Sequence, residues 1–541
     1  MMRNARRALI GESRSRWLVS VLVATFAMGV MVSFQSTART LNGMTKTEIK
    51  IDGMIMSTPA IVRDEKSDKT LIGFVRGDLE SAVGIAGKRL DKFTSVDVYQ
   101  ESGKHVSAFP LLKNEKKNAP FLIAPAHQVV GVKGEFEVVD IEGRLNSLSA
   151  EGKATKRGAV HGQRGLLVWP PTRIDSKDGK EVGLILVSND YGPLYASKNQ
   201  VDVVDGEGRS LPGFPMLLDG WPKQHAPILD RVHQRFFIFV ASTGSIEGFD
   251  VSRGRRLPGF PVKLRWVDDS LMPVSMAYYP IWNALVVTSG TSKIMKVDAD
   301  TGKAFEIDVK NGGRLSSIAV AGDQMLVVDD EKAQLNQLDL AGQITKTLPL
   351  KWETYRESYA MEVVPTASST RVLVFSVRRA DSVAEIERLY EKYKTKESEK
   401  EINDYFRNSA KEQYGTSDFN ALKDKDKKQL RMDMVDSKHG YLELWLGDQE
   451  RLKQMDLWTQ TGMDVVQLKG DALQLEYTDV TKGYHPDTGF SLSQAVFPAV
   501  ELNAKAKLIR VALPMNFYDR AGENPRDAYQ ARLVMYQLAV P

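Results

Sequence analysis

Alternating apolar and polar positions recur along most of this chain in short runs, such as Val201-Asp202-Val203-Val204, Phe136-Glu137-Val138-Val139, Ile294-Met295-Lys296-Val297 and Leu335-Asn336-Gln337-Leu338. A period of two places successive side chains on opposite faces of a β-strand. Each run is followed within a few positions by a polar residue and a glycine: Asp205 and Gly208, Asp140 and Gly143, Asp300 and Gly302, Asp339 and Gly342. Glycine supplies the positive φ that a tight connection between twisted strands needs, and Asp or Asn helps close it. The pattern predicts strand, tight turn, strand, many times over.

Two of these turns open the same phrase. Residues 205–215 and 250–261 both end in Leu-Pro-Gly-Phe-Pro, with the Pro-Gly-Phe-Pro elements 46 residues apart. A weaker copy at 100–110 keeps Gly103, Val106 three positions on, and Phe109-Pro110. One glycine per unit gives Gly103, Gly143, Gly208, Gly254, Gly302 and Gly342, spaced 40, 65, 46, 48 and 40. A period of about 40 to 50 residues holding four strands is that of a β-propeller blade. The long step contains the Gly- and Lys/Arg-rich stretch 151–165, read as an inserted surface loop whose basic residues Lys153, Lys156, Arg157 and Arg164 are solvated.

A second phrase, apolar with small residues and a proline, precedes most turns: Ser57-Thr58-Pro59-Ala60-Ile61, Ile123-Ala124-Pro125-Ala126, Ala226-Pro227-Ile228 and Met272-Pro273-Val274. Small residues suit the crowded innermost strand of a blade. The phrase returns at Val364-Pro365-Thr366-Ala367 and Phe497-Pro498-Ala499, among the strand-like runs 372–376, 441–445, 473–477, 508–512 and 533–538. The expected fold is all-β: a propeller of seven or eight blades, with eight preferred. The alternating run 46–51 is placed to complete the last blade and remove its open edge.

Residues 17–34 form an 18-residue run without a charge, preceded by Arg3, Arg6, Arg7, Arg14 and Arg16 against the single acid Glu12. That length suffices for a transmembrane helix, and the arginine excess places the N-terminus in the cytoplasm and the propeller in the periplasm. The other reading is a cleaved signal peptide, because Ser36-Thr37-Ala38 offers small residues at the inspected positions. The expected divisions are a cytoplasmic tail 1–16, an anchor or signal segment 17–36, blades over 46–380, a charged helical insertion 381–436 and further blades over 437–541. In the insertion, Val383, Ile386, Leu389, Tyr390 and Tyr393 fall at helical spacing, and Ile402, Tyr405 and Phe406 start a second stripe. The stripe either packs within the insertion or against the ring, or docks a partner through Tyr390, Tyr393, Tyr405 and Phe406. The insertion is expected to bring residues 379 and 437 together between adjacent strands 372–376 and 441–445.

Composition narrows the chemistry. A net charge of +4 over 541 residues argues against a dedicated nucleic-acid binder. With no cysteine there are no disulfides, thiolate metal sites or cysteine nucleophiles. His105, His127, His161, His225, His233, His439 and His485 form no HExxH or close ligand cluster, and no GxSxG elbow, P-loop or dinucleotide fingerprint occurs. The acidic stretches 298–300 and 519–527 lack the alternating oxygen ligands of a calcium loop. No catalytic residue, cofactor or metal is expected.

The turns and Leu-Pro-Gly-Phe-Pro phrases at 205–215 and 250–261 resemble the FG-GAP-type and quinoprotein-like repeats of bacterial exported propellers, over roughly residues 51–350. The resemblance implies the architecture and an exported location. The closely spaced aspartates of FG-GAP calcium sites and the vicinal cysteines of quinoprotein dehydrogenases are absent here. The propeller subunit of outer-membrane protein assembly, a noncatalytic scaffold, is similar in architecture and in its lack of such chemistry. The resulting expectation is an inner-membrane, single-pass protein whose periplasmic propeller is an interaction scaffold for other envelope or membrane proteins. The alternative is a ligand-binding or carbohydrate-active propeller with a site in the axial funnel.

Overall fold

In the computed structural model, the described residues are 37–41, 43–64, 68–77, 95–109, 126–132, 134–140, 144–159, 166–167, 169–175, 181–189, 199–220, 222, 225–264, 275–288, 290–352, 356–378, 396–424, 426–427, 430, 460–482, 497–518 and 529–540. Their strands form eight antiparallel sheets, which are the eight blades of a propeller. Blade 1 holds Met54–Ile55 and Ala60–Asp64 as a split innermost strand, then Lys69–Gly77 and Ser95–Gln100. Blade 2 follows with Ala126–Val132, Glu135–Asp140, Arg144–Leu148 and Ala154–Ala159. Blade 3 comprises Leu166–Leu167 with Thr172–Asp175, then Glu181–Asn189, Gln200–Val204 and Met216–Leu217. In blade 4 the split strand is the outermost one: Ile228–Asp230, Arg235–Val240, Ser245–Asp250, then Arg255–Arg256 with Val262–Lys263. Blades 5 and 6 are four regular strands each, running Ser275–Tyr279 to Ala304–Asp308 and Leu315–Ala321 to Ile344–Pro349.

The late repeats, faint in sequence, are the longest sheets. Blade 7 pairs Glu357–Pro365, Thr370–Arg378, Gln460–Lys469 and Ala472–Lys482. Blade 8 takes Ala499–Asn503, Leu508–Tyr518 and Tyr529–Ala539 from the C-terminal end and Met44–Asp52 from the N-terminal end. The run expected to close the ring does so, with Met44 opposite Leu538 and Asp52 opposite Gln530. Outside it lies a fifth strand, Thr37–Leu41.

Among the described residues, apolar clusters sit between neighbouring blades, and each draws on both. Phe74, Ile72 and Tyr99 of blade 1 pack with Ile49, Ile51 and Leu533 of blade 8, while Phe375 and Met463 of blade 7 meet Val511 and Tyr536 of blade 8. Because both faces of a blade are covered, its middle strands are buried at consecutive positions, as Arg235–Val240 is throughout. At the blade 7 and 8 junction Lys46 Nζ of the closing strand lies 2.7 Å from Asp479 Oδ2, which also accepts from Tyr536 Oη at 2.6 Å.

One repeat was not anticipated. In blades 1, 3, 4, 6 and 7 the third strand carries a buried polar residue that bonds to the fourth strand or the turn leading to it. Asp97 meets His105 Nε2 at 2.6 Å, Asp202 accepts from Ser210 at 2.8 Å, and Glu247 accepts from Arg256 at 2.8 Å. Asn336 accepts from Thr347 at 2.8 Å and Asp464 from Thr478 at 2.7 Å. Burial raises the carboxyl pKa of Asp202, Glu247 and Asp464.

Two expectations need correction in blade 2. Gly143 lies between the second and third strands, whereas the other repeat glycines lie between the third and fourth; the equivalent residue is Gly152, at φ 75°. Ser149 does there what Asp205 does in blade 3: its amide donates to the carbonyl of Lys153 at 3.0 Å and its carbonyl accepts from Gly152 at 2.9 Å. Residues 154–159 are therefore the outer strand of blade 2, and only part of the stretch 151–165 can be inserted loop. The third correction is in blade 7, where Thr370–Arg378 pairs with Gln460–Lys469 and Arg378 is opposite Gln460. The run 441–445 lies outside the described residues, as do residues 17–34. No described helix is long and apolar enough to cross a membrane.

Candidate interaction face

Antiparallel order within a blade sends the turn between strands one and two and the turn between strands three and four to the same rim of the ring. Toward that rim, in blades 4 to 6, the turns carry apolar tips at Val232, Ile281 and Leu340, and Phe305 is the second residue of the outer strand that leaves the blade 5 turn. Among the described residues five large hydrophobic side chains expose more than half their surface, and four of them are here: Val232 at 55%, Ile281 at 55%, Phe305 at 56% and Leu340 at 55%. The fifth, Leu217 at 52%, lies on the outer strand of blade 3.

Local chemistry fixes each tip. Val232 rides a turn that Gln234 closes at φ 53°, with the His233 amide donating to Asp230 Oδ1 at 3.3 Å. Ile281 occupies the single 3₁₀ turn Pro280–Trp282, begun by proline and ended by Asn283 at φ 45°. Phe305 follows the turn in which Asp298 Oδ1 accepts from the amides of Asp300 and Thr301 at 3.1 and 2.8 Å. Those bonds outweigh burial and hold the Asp298 carboxyl below its ordinary value. Leu340 follows Asp339, whose Oδ1 accepts from the amides of Ala341 and Gln343 at 2.8 Å each.

Beneath the tips a polar network ties blade 4 to blade 5. The buried Arg235 guanidinium donates to Asp230 Oδ2 at 2.9 and 2.5 Å, to Asp300 Oδ1 at 2.5 Å and to Asn283 Oδ1 at 2.7 Å. Asn283 Nδ2 returns a bond to Asp300 at 2.7 Å, and Tyr278 Oη donates to Asn283 Oδ1 at 3.0 Å. Burial alone would raise the Asp230 carboxyl, but the bonds from Arg235 and His233 prevail and lower it. Burial, then the Asp230 charge, pushes the Tyr278 hydroxyl up to about 12. Trp282 is held edge-on to Tyr279 at 5.0 Å, with Lys296 Nζ 4.6 Å from its ring centre. The network orders the turns of blades 4 and 5 before anything binds, so little ordering entropy remains there to oppose association. Burying four half-exposed apolar side chains is worth roughly 3–6 kcal/mol by area.

The same rim is polar in blade 3, where Arg209 pairs with Asp205 and Glu207 at 2.9 Å each, and in blade 1, where Glu101 pairs with Arg510 at 2.6 Å. Sequence reasoning overlooked the apolar face. Its signal was an apolar residue at the tip of a turn, as in Asp339-Leu340-Ala341-Gly342, where a polar one is usual.

The residues expected to dock a partner are elsewhere. Tyr390 and Tyr393 lie outside the described residues. Tyr405 and Phe406 belong to helix α1, Lys396–Tyr414, in the connection between the second and third strands of blade 7, which leaves from the opposite rim. Phe406 is buried against Phe419 with ring centres 4.5 Å apart, and half-buried Tyr405 is edge-on to Phe406 at 5.6 Å. Ile402 and Ala410, four residues to either side of Phe406, are buried on the same face. Among the described residues no group of three or more His, Cys, Asp or Glu is placed to hold a metal ion.

No protein-family model matches the chain, and no curated protein does. Among solved structures, BamB from Moraxella catarrhalis aligns over 63% of this chain and 91% of its own at 14% identity and a TM-score of 0.34. The computationally designed Ika8 protein aligns over 63% and 93% at 12% identity, also with a TM-score of 0.34. The extracellular domain of a hybrid two-component system from B. thetaiotaomicron aligns over 63% and 40% at 8% identity, TM-score 0.34. Similarity at this level carries no argument about activity, and the propeller assignment rests on the strand pairing itself.

Proposed function

We propose that this chain is a membrane-anchored, periplasm-facing propeller that serves as a protein-interaction scaffold in an envelope complex, with the rim of blades 4 to 6 as its principal docking face. The observation that carries the reading is the concentration of exposed Val232, Ile281, Phe305 and Leu340 on one rim above an ordered polar network. Exposed apolar side chains gathered in this way mark association surfaces. The uncharged run 17–34 and the arginines before it supply the anchor and its orientation.

The test is purification of the tagged full chain from membranes beside the double variant Ile281→Asp, Leu340→Asp. A stoichiometric partner should accompany the wild type and be lost from the variant, with thermal unfolding unchanged because both side chains face solvent. Retention of the same partners by the variant would remove this face from the account.

A further inference from the structure

We propose that blade 8 is the membrane-facing side of the ring, and that the propeller stands edge-on at the lipid headgroup surface with blade 4 directed away from it. The inference rests on the anchor reading of residues 17–34 and deepens it. Its basis is the hairpin formed by Thr37–Leu41 and Met44–Asp52, in which Thr37 is opposite Glu48, Ala38 opposite Thr47 and Leu41 opposite Met44. Met44–Asp52 is in turn paired along its whole length with Tyr529–Ala539, so the hairpin is an integral part of blade 8.

Thr37–Leu41 is the outermost strand of the sheet, at the circumference of the ring. Only Gln35 and Ser36 separate Thr37 from Phe34, the last large apolar residue of the anchor run. Three Cα steps span at most about 11 Å. A headgroup layer is several ångströms deep on each side of the hydrocarbon, so the tether ends within or just above it. The edge of blade 8 has no room to move farther away while its strand remains paired.

The entry point sets the orientation. Thr37 is opposite Glu48, near the middle of the closing strand and not at either end. The chain therefore arrives at the side of the ring between its two rims, which leaves both rims open to the periplasm. In a ring of eight, blade 4 is diametrically opposite blade 8, so the rim that carries the apolar residues of blades 4 to 6 faces along the membrane surface and stays open to soluble or neighbouring envelope proteins. Pairing of Thr37 and Ala38 also gives those residues a structural role that cleavage after Ala38 would remove.

The chain contains no cysteine, so a single introduced thiol reports one place. Lys50→Cys on the closing strand of blade 8 and Lys263→Cys on the outer strand of blade 4 both replace exposed lysines. Each full-length variant is labelled with a fluorophore and reconstituted in phosphatidylcholine vesicles carrying a nitroxide on the lipid headgroup. Fluorescence from position 50 should fall by half or more and that from position 263 should be unchanged. A flexible Gly/Ser linker of about 20 residues inserted after Ser36, with a reach of roughly 25 Å, should relieve the quenching at position 50.

Equal quenching at the two positions, or quenching at 50 that survives the linker, overturns the edge-on arrangement. The anchor itself is read separately, by alkaline carbonate extraction and the mass of the membrane-derived chain. A chain that washes off, or that begins at Arg39, overturns the anchor reading and the arrangement with it. A retained, uncleaved chain without quenching at 50 overturns only the arrangement.

Discussion

Gly213 of blade 3 and Gly254 of blade 4 lie backbone against backbone: a Cβ on Gly213 would stand 2.0 Å from the carbonyl oxygen of Gly254, and a Cβ on Gly254 would stand 1.9 Å from that of Pro212. Both have positive φ, 86° and 56°. The contact recurs one blade on, where a Cβ on Gly259 would be 2.0 Å from the Thr301 carbonyl and one on Gly302 would be 2.4 Å from that of Gly259. In blade 1 Ala108 takes the Gly213 position, and a Cβ on Gly152 of blade 2 would be 3.0 Å from its methyl. The repeated Pro-Gly-Phe-Pro phrase thus seats one blade on the next, with Phe214 and Phe260 buried behind the glycine.

Gly213→Ala and Gly259→Ala should each destabilise the ring by about 2–4 kcal/mol, combining lost φ freedom with overpacking against backbone. Gly206→Ala is the control, since a Cβ there meets nothing within 4 Å. Denaturant midpoints measure all three. Equal midpoints for Gly213→Ala and Gly206→Ala would mean that the seat between blades contributes no stability.

Ring closure carries a pH-dependent charge pair. Burial would raise the Asp479 carboxyl, but bonds from Lys46, Tyr536 and Thr481 outweigh it and lower the pKa. A carboxyl depressed in the folded state contributes stability above its unfolded value of about 3.9 and loses it as pH falls through the folded value. Lys46→Met leaves Asp479 without its cation and should cost about 3 kcal/mol near neutrality. The deficit should shrink below pH 4, and a deficit constant from pH 7 to pH 3 would contradict the assignment.

Asp330 runs the other way. Its Oδ1 accepts from Ser316 Oγ at 2.7 Å and from the Ser358 amide at 3.0 Å, and burial pushes its carboxyl up to about 8. The folded chain keeps a proton that the unfolded chain releases near pH 3.9, so this group's contribution to stability declines as pH rises from there toward 8. Asp330→Asn preserves both accepted bonds and removes the titration. Between pH 6 and pH 9 the wild type should lose on the order of 1–3 kcal/mol relative to this variant; parallel curves would show that Asp330 is ionised throughout.

Much of the architecture was legible because a propeller is periodic. The turn glycines, the Leu-Pro-Gly-Phe-Pro phrase and the alternating run at 46–51 each stated a local requirement that recurs. Blade 2 was misread because its turn begins with Ser149 in place of Asp, while Asp140 to Gly143 imitates the motif one hairpin early. A better ruler was available in the buried polar residue six positions before the turn glycine, as in Asp97 before Gly103, Asn146 before Gly152, Asp202 before Gly208 and Asn336 before Gly342. The candidate face was not legible as a face. Val232, Ile281, Phe305 and Leu340 come from three blades, and only the antiparallel order within each blade and the stacking of blade on blade bring them to one rim. Phe406 showed helical spacing, but spacing does not say whether a stripe meets a partner or, as for Phe406, its own Phe419.

The insertion should be separable from the ring. Arg378 and Gln460 are directly paired, and partners in an antiparallel ladder are about 5 Å apart. Replacing residues 379–459 with a short Gly/Ser turn should leave a folded propeller, since closing a short loop costs less entropy than closing a long one. Circular dichroism and a cooperative thermal transition would show it. A deletion variant without a cooperative transition would make the insertion part of the core.

The most direct measurement of the scaffold reading is photo-crosslinking in intact cells from single sites on the full chain. A photoreactive side chain at Ile281 or Leu340 should give a discrete crosslinked species of the same size with the same protein. The same group at Lys310, exposed beyond the outer strand of blade 5 toward the opposite rim, should not. Absence of a discrete species from both Ile281 and Leu340, or the same species from Lys310, would contradict a docking face on the rim of blades 4 to 6.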